Sequence, residues 1–171
     1  IRVWGVTGVQ TCALPILSVL HNHHPIRVAE RVAMVGQLTN GRVEVGTGRS
    51  NAYEQVGQGI DPRETRESWD EAITMLPKIW QSDEFSWEGK YWNVPPRRVL
   101  PKPFQKPHPR LYLACTQTES FKLAAQKGIG VLSSASYAVE ILKEHVQVYR
   151  DAIKDADPVG EIGRASCRAR G

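Results

Sequence analysis

Cysteine is scarce: the 171 residues hold three, Cys12, Cys115 and Cys167. Two of these lie near the ends, so the central segment keeps one thiol, which cannot close an internal disulfide, and there is no Cys-rich metal pattern. A disulfide-stapled secreted domain is therefore not expected, and a reducing, cytoplasmic setting is. Long apolar runs are missing as well. None approaches the roughly 20 residues that a membrane-spanning helix needs. The short apolar start is broken by Gly, Gln, Thr and Pro, unlike a secretory leader. Charge of one sign is also lacking in the middle, although the whole chain carries a formal +4. Four of the 22 basic residues (Arg2, Arg164, Arg168, Arg170) and one of the 18 acidic ones (Glu161) fall in residues 1–16 and 161–171. The remaining 18 basic and 17 acidic residues nearly balance, which gives no reason to expect a nucleic-acid partner.

What is present is a globular composition, 41% hydrophobic and 23% charged, on a chain long enough to bury one core. The opening VTGVQTCALPI and the closing EIGRASC resemble in-frame translations of common sequencing adapters. Residues 1–16 and 161–171 are accordingly expected to be non-native flanks around one domain at 17–160.

That domain alternates strand and helix four times. LSVL, an apolar run from Leu17, meets the polar tetrad His21-Asn22-His23-His24, and Pro25 follows where a helix is expected to start. Val28, Val32, Val35 and Leu38 recur at helical spacing, and Asn40-Gly41 stops the helix, both residues tolerating the left-handed conformation. A β-branched strand, Arg42–Gly46, ends in Gly46-Thr47-Gly48-Arg49-Ser50. Asp61-Pro62 opens a second helix with Glu64 placed as in a capping box. Trp69, Ala72, Ile73, Leu76 and Trp80 mark its buried face, and Pro77 is expected to kink it or end it early. FSWEGKYWNV over Phe85–Val94 reads as a hairpin turning at Glu88-Gly89-Lys90. Pro95–Pro109 reads as irregular, with its Lys and Arg residues solvated. A third strand, Leu111–Ala114, leads through Cys115-Thr116-Gln117-Thr118 into a helix from about Glu119 to Lys127, stopped at Gly128. A fourth strand, Ile129–Leu132, ends in Ser133-Ser134-Ala135-Ser136. A last helix, about Tyr137–Ala156, is expected to bury Ala138, Leu142, Val146, Tyr149 and Ile153.

Strands separated by such helices pair in parallel through right-handed crossovers. A doubly wound open sheet and a closed (β/α)8 barrel both satisfy this, and periodicity does not choose between them. In either, ligands gather where strands end, and here every strand hands over to a polar or Gly-rich segment. A full barrel takes about 250 residues. Four βα units would make half of one.

HHPIRVAERVAMVGQLTNGRVEVGTGRS is similar to the stretch around the third strand, third helix and fourth strand of the luciferase-like monooxygenases. The likeness continues through TRESWDEAITML, the hairpin, LPKPFQKPHP and LYLACTQTESFKLAAQKGIGVLS, in order and spacing, over essentially Leu17–Asp157. The resemblance implies an α/β fold: a partial TIM-type (β/α)8 barrel of about four βα units with a β-hairpin insertion. It also implies reduced FMN at the C-terminal face, O2, a small organic substrate, a flavin reductase as possible partner and a homo-oligomeric full-length protein. Some relatives use a deazaflavin and transfer hydride without oxygen, so that cofactor is the alternative. A non-catalytic flavin-binding relative is a further one, and the 171-residue chain alone, half a barrel with exposed strand edges, is expected to be inactive.

Carried over position by position, Arg49 matches the arginine that grips the FMN phosphate, and Arg66 a second basic position. Thr116, Gln117 and Ser120 match the loop where hydroxyls, amides and a helix start meet the phosphate, which suits a dianion. Gly46, Gly48 and Ser50 accompany Arg49, the glycines letting backbone approach the flavin. Glycine at 48 departs from luciferase, which has a cysteine there, so luminescence is not implied. Taken alone, the same residues have plainer readings. Gly-x-Gly-Arg is a turn with a surface salt bridge, Thr116 a helix cap, and His21 and Asn22 strand-end packing rather than flavin-pocket lining. Adjacent histidines on an extended segment point to opposite faces, so no metal site is expected there. Cys115 reads as a small buried apolar residue. Tyr53 and the tryptophans read as core or hairpin packing. The catalytic acid or base has no candidate.

Overall fold

The computed structural model describes residues 14–133 and 138–160. The Ser134-Ala135-Ser136 loop, the helix start at Tyr137, Trp4 and most of the two flanks fall outside them. The first strand, β1 (Leu14–Val19), begins three residues before the LSVL run and pairs in parallel with β2 (Val43–Gly48) along its whole length. Between them, α1 (Pro25–Leu38) starts with Pro25 at its first turn, as read. It ends at Asn40 and Gly41, whose φ values of 52° and 76° are the left-handed stop expected there. Val28 and Val32 are buried, whereas Leu38 is 79% exposed, contrary to expectation. Leu38 lies about 80° around the helix from Val28 and falls off the packed stripe.

A six-residue helix that the sequence does not announce, α2 (Ala52–Gly57), follows β2. The long α3 (Thr65–Gln81) comes next. Its N-cap is Glu64, not Asp61, and no side chain caps it. Asp61 instead receives the Arg63 amide at 2.9 Å and the Arg63 guanidinium, so the expected capping box does not form. Nor does Pro77 end the helix. Ile73, Leu76, Ile79 and Trp80 are buried on either side of it, and this packing carries the chain to Gln81. The Trp80 indole donates to the Ala29 carbonyl at 3.1 Å, locking α3 onto α1.

The hairpin is β3 (Phe85–Glu88) with β4 (Asn93–Arg97), so the second strand runs through Pro95 and Pro96. The rest of the Pro-rich stretch is irregular, but it is not simply solvated. Lys102 Nζ donates to the Ile79 carbonyl at 2.9 Å and closes the C-terminal end of α3, and Gln105 Nε2 donates to the carbonyls of Gly41 and Val43. The chain then forms β5 (Leu111–Cys115), α4 (Thr118–Gln126), β6 (Gly130–Ser133) and α5 (Val139–Ala152). On α5 the buried residues are His145 and Tyr149, while Ala138 before it is exposed. The Tyr149 hydroxyl donates to the Ile129 carbonyl at 2.9 Å, which draws the buried face toward β6.

The parallel sheet runs in the order β1-β2-β5-β6. Register and alternation put Val43, Val45, Thr47, Leu111, Leu113 and Cys115 on one face, all buried. The opposite face carries Leu17, Gly46, Gly48, Tyr112, Ala114, Gly130 and Leu132; Leu17 is 64% exposed and Ala114 is exposed. Strands laid down in sequence order with helices on one face describe a barrel sector. A doubly wound sheet would reverse direction and cover both faces. The choice left open by periodicity is settled in favour of the partial barrel.

Glu71 fastens the hairpin to α3. Its carboxylate accepts from the Trp87 indole at 2.9 Å and from the amides of Lys90, Tyr91 and Trp92 at 3.0–3.1 Å. A Cβ at Gly89 would collide with that carboxylate, so the turn needs glycine for this approach. Glu71→Ala is expected to cost about 1–3 kcal/mol, since charge-assisted bonds are lost and partly replaced by water. Hydrogen exchange at the Lys90, Tyr91 and Trp92 amides should accelerate together; unchanged protection at all three would refute the clamp.

Candidate functional site

Four parallel strands bring their C-terminal ends to one edge. His21 and Asn22 form the short 3-10 turn after β1, Arg49 and Ser50 follow β2, Thr116 and Gln117 follow β5, and Ser133 closes β6. Because β1, β2 and β5 are neighbours, with Val19 opposite Gly48 and Thr47 opposite Leu113, the first three loops lie side by side. Arg66 joins them from the first turn of α3. The polar tetrad His21-Asn22-His23-His24 is not one extended segment: His24 is the N-cap of α1, and its Nδ1 accepts from the Ile26 amide at 3.3 Å.

Electrostatics at this edge is one-sided. Burial pushes the Arg49 guanidinium below the usual arginine range, and nearby Arg66 pushes the same way. His21 is lowered from 6.5 by burial first and by the Arg49 charge second, which keeps it neutral at neutral pH. Among the described residues, no carboxylate lies within ion-pairing distance of Arg49 or Arg66, so the surface salt bridge of the plainer reading does not form there. Both ring nitrogens of His21 and the Asn22 Oδ1 are buried and lack hydrogen-bond partners among the described residues. A half-buried cation without a counter-ion, beside unmatched polar atoms, suits an anionic, polar ligand.

Position 48 agrees with this. Its φ is ordinary, and among the described residues an added Cβ would meet only the Ala114 Cβ, at 3.7 Å, so no packing among these residues demands glycine. In the β5 loop, the N-cap of α4 is Gln117 rather than Thr116, and the Gln117 side chain makes no capping hydrogen bond. Ser120 sits in the first turn, its amide bonded to the Gln117 carbonyl at 2.9 Å. Cys115, the last residue of β5, lies on the buried, helix-covered face of the sheet. Burial pushes its thiol up to about 12, which leaves it an inert packing residue.

The family model for luciferase-like monooxygenases matches residues 15–165. The chain belongs to that family. Among luciferase-like relatives, it is 31% identical over 111 residues to the oxygenase component of the flavin-dependent trigonelline monooxygenase of Acinetobacter baylyi, covering 63% of this chain and 31% of that one. It is 26% identical over 147 residues to an F420-dependent glucose-6-phosphate dehydrogenase of Microbacterium testaceum, covering 82% of this chain and 43% of the other. It also shares its fold, at a TM-score of 0.72 and 23% identity, with the oxygenating constituent of 3,6-diketocamphane monooxygenase from the CAM plasmid of Pseudomonas putida, solved with FMN; the match covers 84% and 44% of the two chains. The chain thus spans from about a third to under half the length of these luciferase-like relatives.

Several residues that shape the edge escape sequence reading. Thr47 Oγ1 accepts from the Trp69 indole at 3.2 Å and donates to the Tyr112 carbonyl at 2.9 Å, tying α3, β2 and β5 together just beneath the loops. The Gln55 side chain donates to the Arg49 carbonyl. Tyr53, expected in packing, is instead 89% exposed on α2. A Trp at helical spacing signalled the first of these contacts in part; nothing signalled the second. Among the described residues, no helix is long and apolar enough to cross a membrane.

Proposed function

We propose that this segment, centred on residues 17–160, is the flavin-phosphate portion of a luciferase-like monooxygenase that uses reduced FMN and O2 on a small organic substrate. The observation that carries the reading is the Arg49 guanidinium, half-buried at the C-terminal edge of the sheet with Arg66 nearby and no carboxylate partner among the described residues. Arg49 and Arg66 would take the phosphate. Thr116, Gln117, Ser120 and the first amides of α4 would add neutral donors, for which a helix start is well placed. Neutral His21 and Asn22 would meet polar atoms of the flavin, Gly48 would allow close approach, and Ser50 would turn the chain away.

Bound reduced flavin would supply the electrons that activate O2; the protein's part is to orient it and exclude water. A flavin reductase as source of reduced FMN, a cytoplasmic setting and a homo-oligomeric assembly belong to the same proposal. The second reading is hydride transfer with a deazaflavin, favoured by the relative that carries F420 in its name and aligns over 82% of this chain.

Fluorescence titration of the protein with FMN and with deazaflavin separates the two. Tighter binding of FMN, together with O2 uptake when a reductase and NAD(P)H are supplied, is the expected result. Preference for deazaflavin without O2 uptake moves the function to hydride transfer, and binding of neither defeats both.

A further inference from the structure

We infer that Gln55 is the positioning residue that sets the direction of Arg49, an inference that rests on the phosphate reading above. The helix α2 has six residues and leaves Ala52, Tyr53, Glu54 and Val56 exposed. It buries only Gln55, a polar residue, at 5% exposure. Gln55 uses its amide nitrogen on the carbonyl of Arg49. A buried amide used in this way fixes a backbone group, because that carbonyl lies on the peptide joining Arg49 to Ser50.

The rest of the turn is built around the same peptide. Ser50 holds a left-handed φ of 61°, unusual for a residue with a side chain, and its hydroxyl bonds the Glu54 carboxylate. Asn51 caps α2 by accepting the Glu54 amide at 3.0 Å, and the Ile60 amide returns to the Gln55 carbonyl at 2.9 Å. Gln55 is therefore held from both ends of a closed loop while it grips Arg49. The strand ends at Gly48, so without this grip the Arg49 backbone is free to rotate at its junction with Ser50, and the guanidinium swings with it.

Paired titration with FMN and with riboflavin, which lacks the phosphate, tests the inference. Gln55→Met keeps side-chain length and removes the donor. It should weaken FMN binding by about tenfold and change riboflavin binding by less than about twofold, the loss expected when a binding group is misplaced rather than removed. Gln55→His, which restores an N–H, should recover most of the FMN affinity. Equal loss of both ligands in Gln55→Met, or no loss of either, overturns the positioning role. Arg49→Ala, run alongside, keeps the two proposals distinct. If it lowers FMN binding selectively while Gln55→Met does not, only the Gln55 inference fails. If the unsubstituted protein binds FMN and riboflavin equally, the phosphate reading fails and takes this inference with it.

Discussion

Arg49→Ala is expected to weaken FMN binding by about 10- to 100-fold while leaving riboflavin affinity nearly unchanged. A charge-assisted hydrogen bond contributes about 1.5–3 kcal/mol, and each 1.4 kcal/mol is a factor of ten in affinity. Arginine meets phosphate with two parallel N–H groups, so alanine removes charge and geometry together. Arg66 sits close enough for its charge to act on Arg49, and it should keep the loss below the upper limit. The contrast with riboflavin distinguishes loss of a phosphate contact from general damage to the loop. The effect should shrink as salt rises, because Arg49 is only half-buried and added ions screen it. FMN affinity unchanged in Arg49→Ala would remove the basis of the proposed site.

Trp69→Ala should cost about 3–5 kcal/mol of folding stability, the range for truncating a fully buried tryptophan. Trp69 is 0% exposed, and its indole reaches Thr47 Oγ1 at 3.2 Å. Removal opens a cavity between α3 and β2 and frees one side of the Thr47 bridge to Tyr112. Against a typical total of about 5–15 kcal/mol, that is about a fifth or more of the stability. Trp69→Phe keeps most of the volume and loses the hydrogen bond, so it should cost about 1–2 kcal/mol, on the scale of one net bond. Urea midpoints measure both. A Trp69→Ala midpoint within error of the unsubstituted protein would show that the indole is not holding these elements together. Because Arg66 lies one helical turn before Trp69, the alanine variant should also lose FMN affinity beyond what its unfolded fraction explains.

The elements readable from sequence were those with a long, repeated signal. Val28 and Val32 on α1, and Trp69 through Trp80 on α3, repeat at helical spacing and are buried as that spacing implies. Asn40-Gly41 marked a stop that the backbone confirms with two positive φ angles. Short or non-local features were not readable. α2 spans too few residues to show a period, and its buried member is polar, so hydrophobic patterning passes over it. Lys102 looked solvated because nothing nearby in sequence reveals that the end of α3 lies under it. In the site, the Gly-x-Gly-Arg after a strand could be located, and the family resemblance gave it a role. That Arg49 has no counter-ion, and that polar atoms of His21 and Asn22 are unmatched, among the described residues emerges only once the strands are side by side.

The way Glu71 holds the hairpin bears on how this barrel can diversify. Three of its four partners are main-chain amides, so Glu71 recognises the tip by backbone shape, while the Lys90 and Tyr91 side chains add contacts to Glu67 on the same helix. Given a glycine at 89 and the Trp87 indole, the Glu71 clamp does not depend on the side chains at 90 and 91, whose contacts to Glu67 form a second, separable attachment. Selection can then rewrite the tip's exposed chemistry one residue at a time, giving up the Glu67 contacts while the Glu71 anchor stays in place.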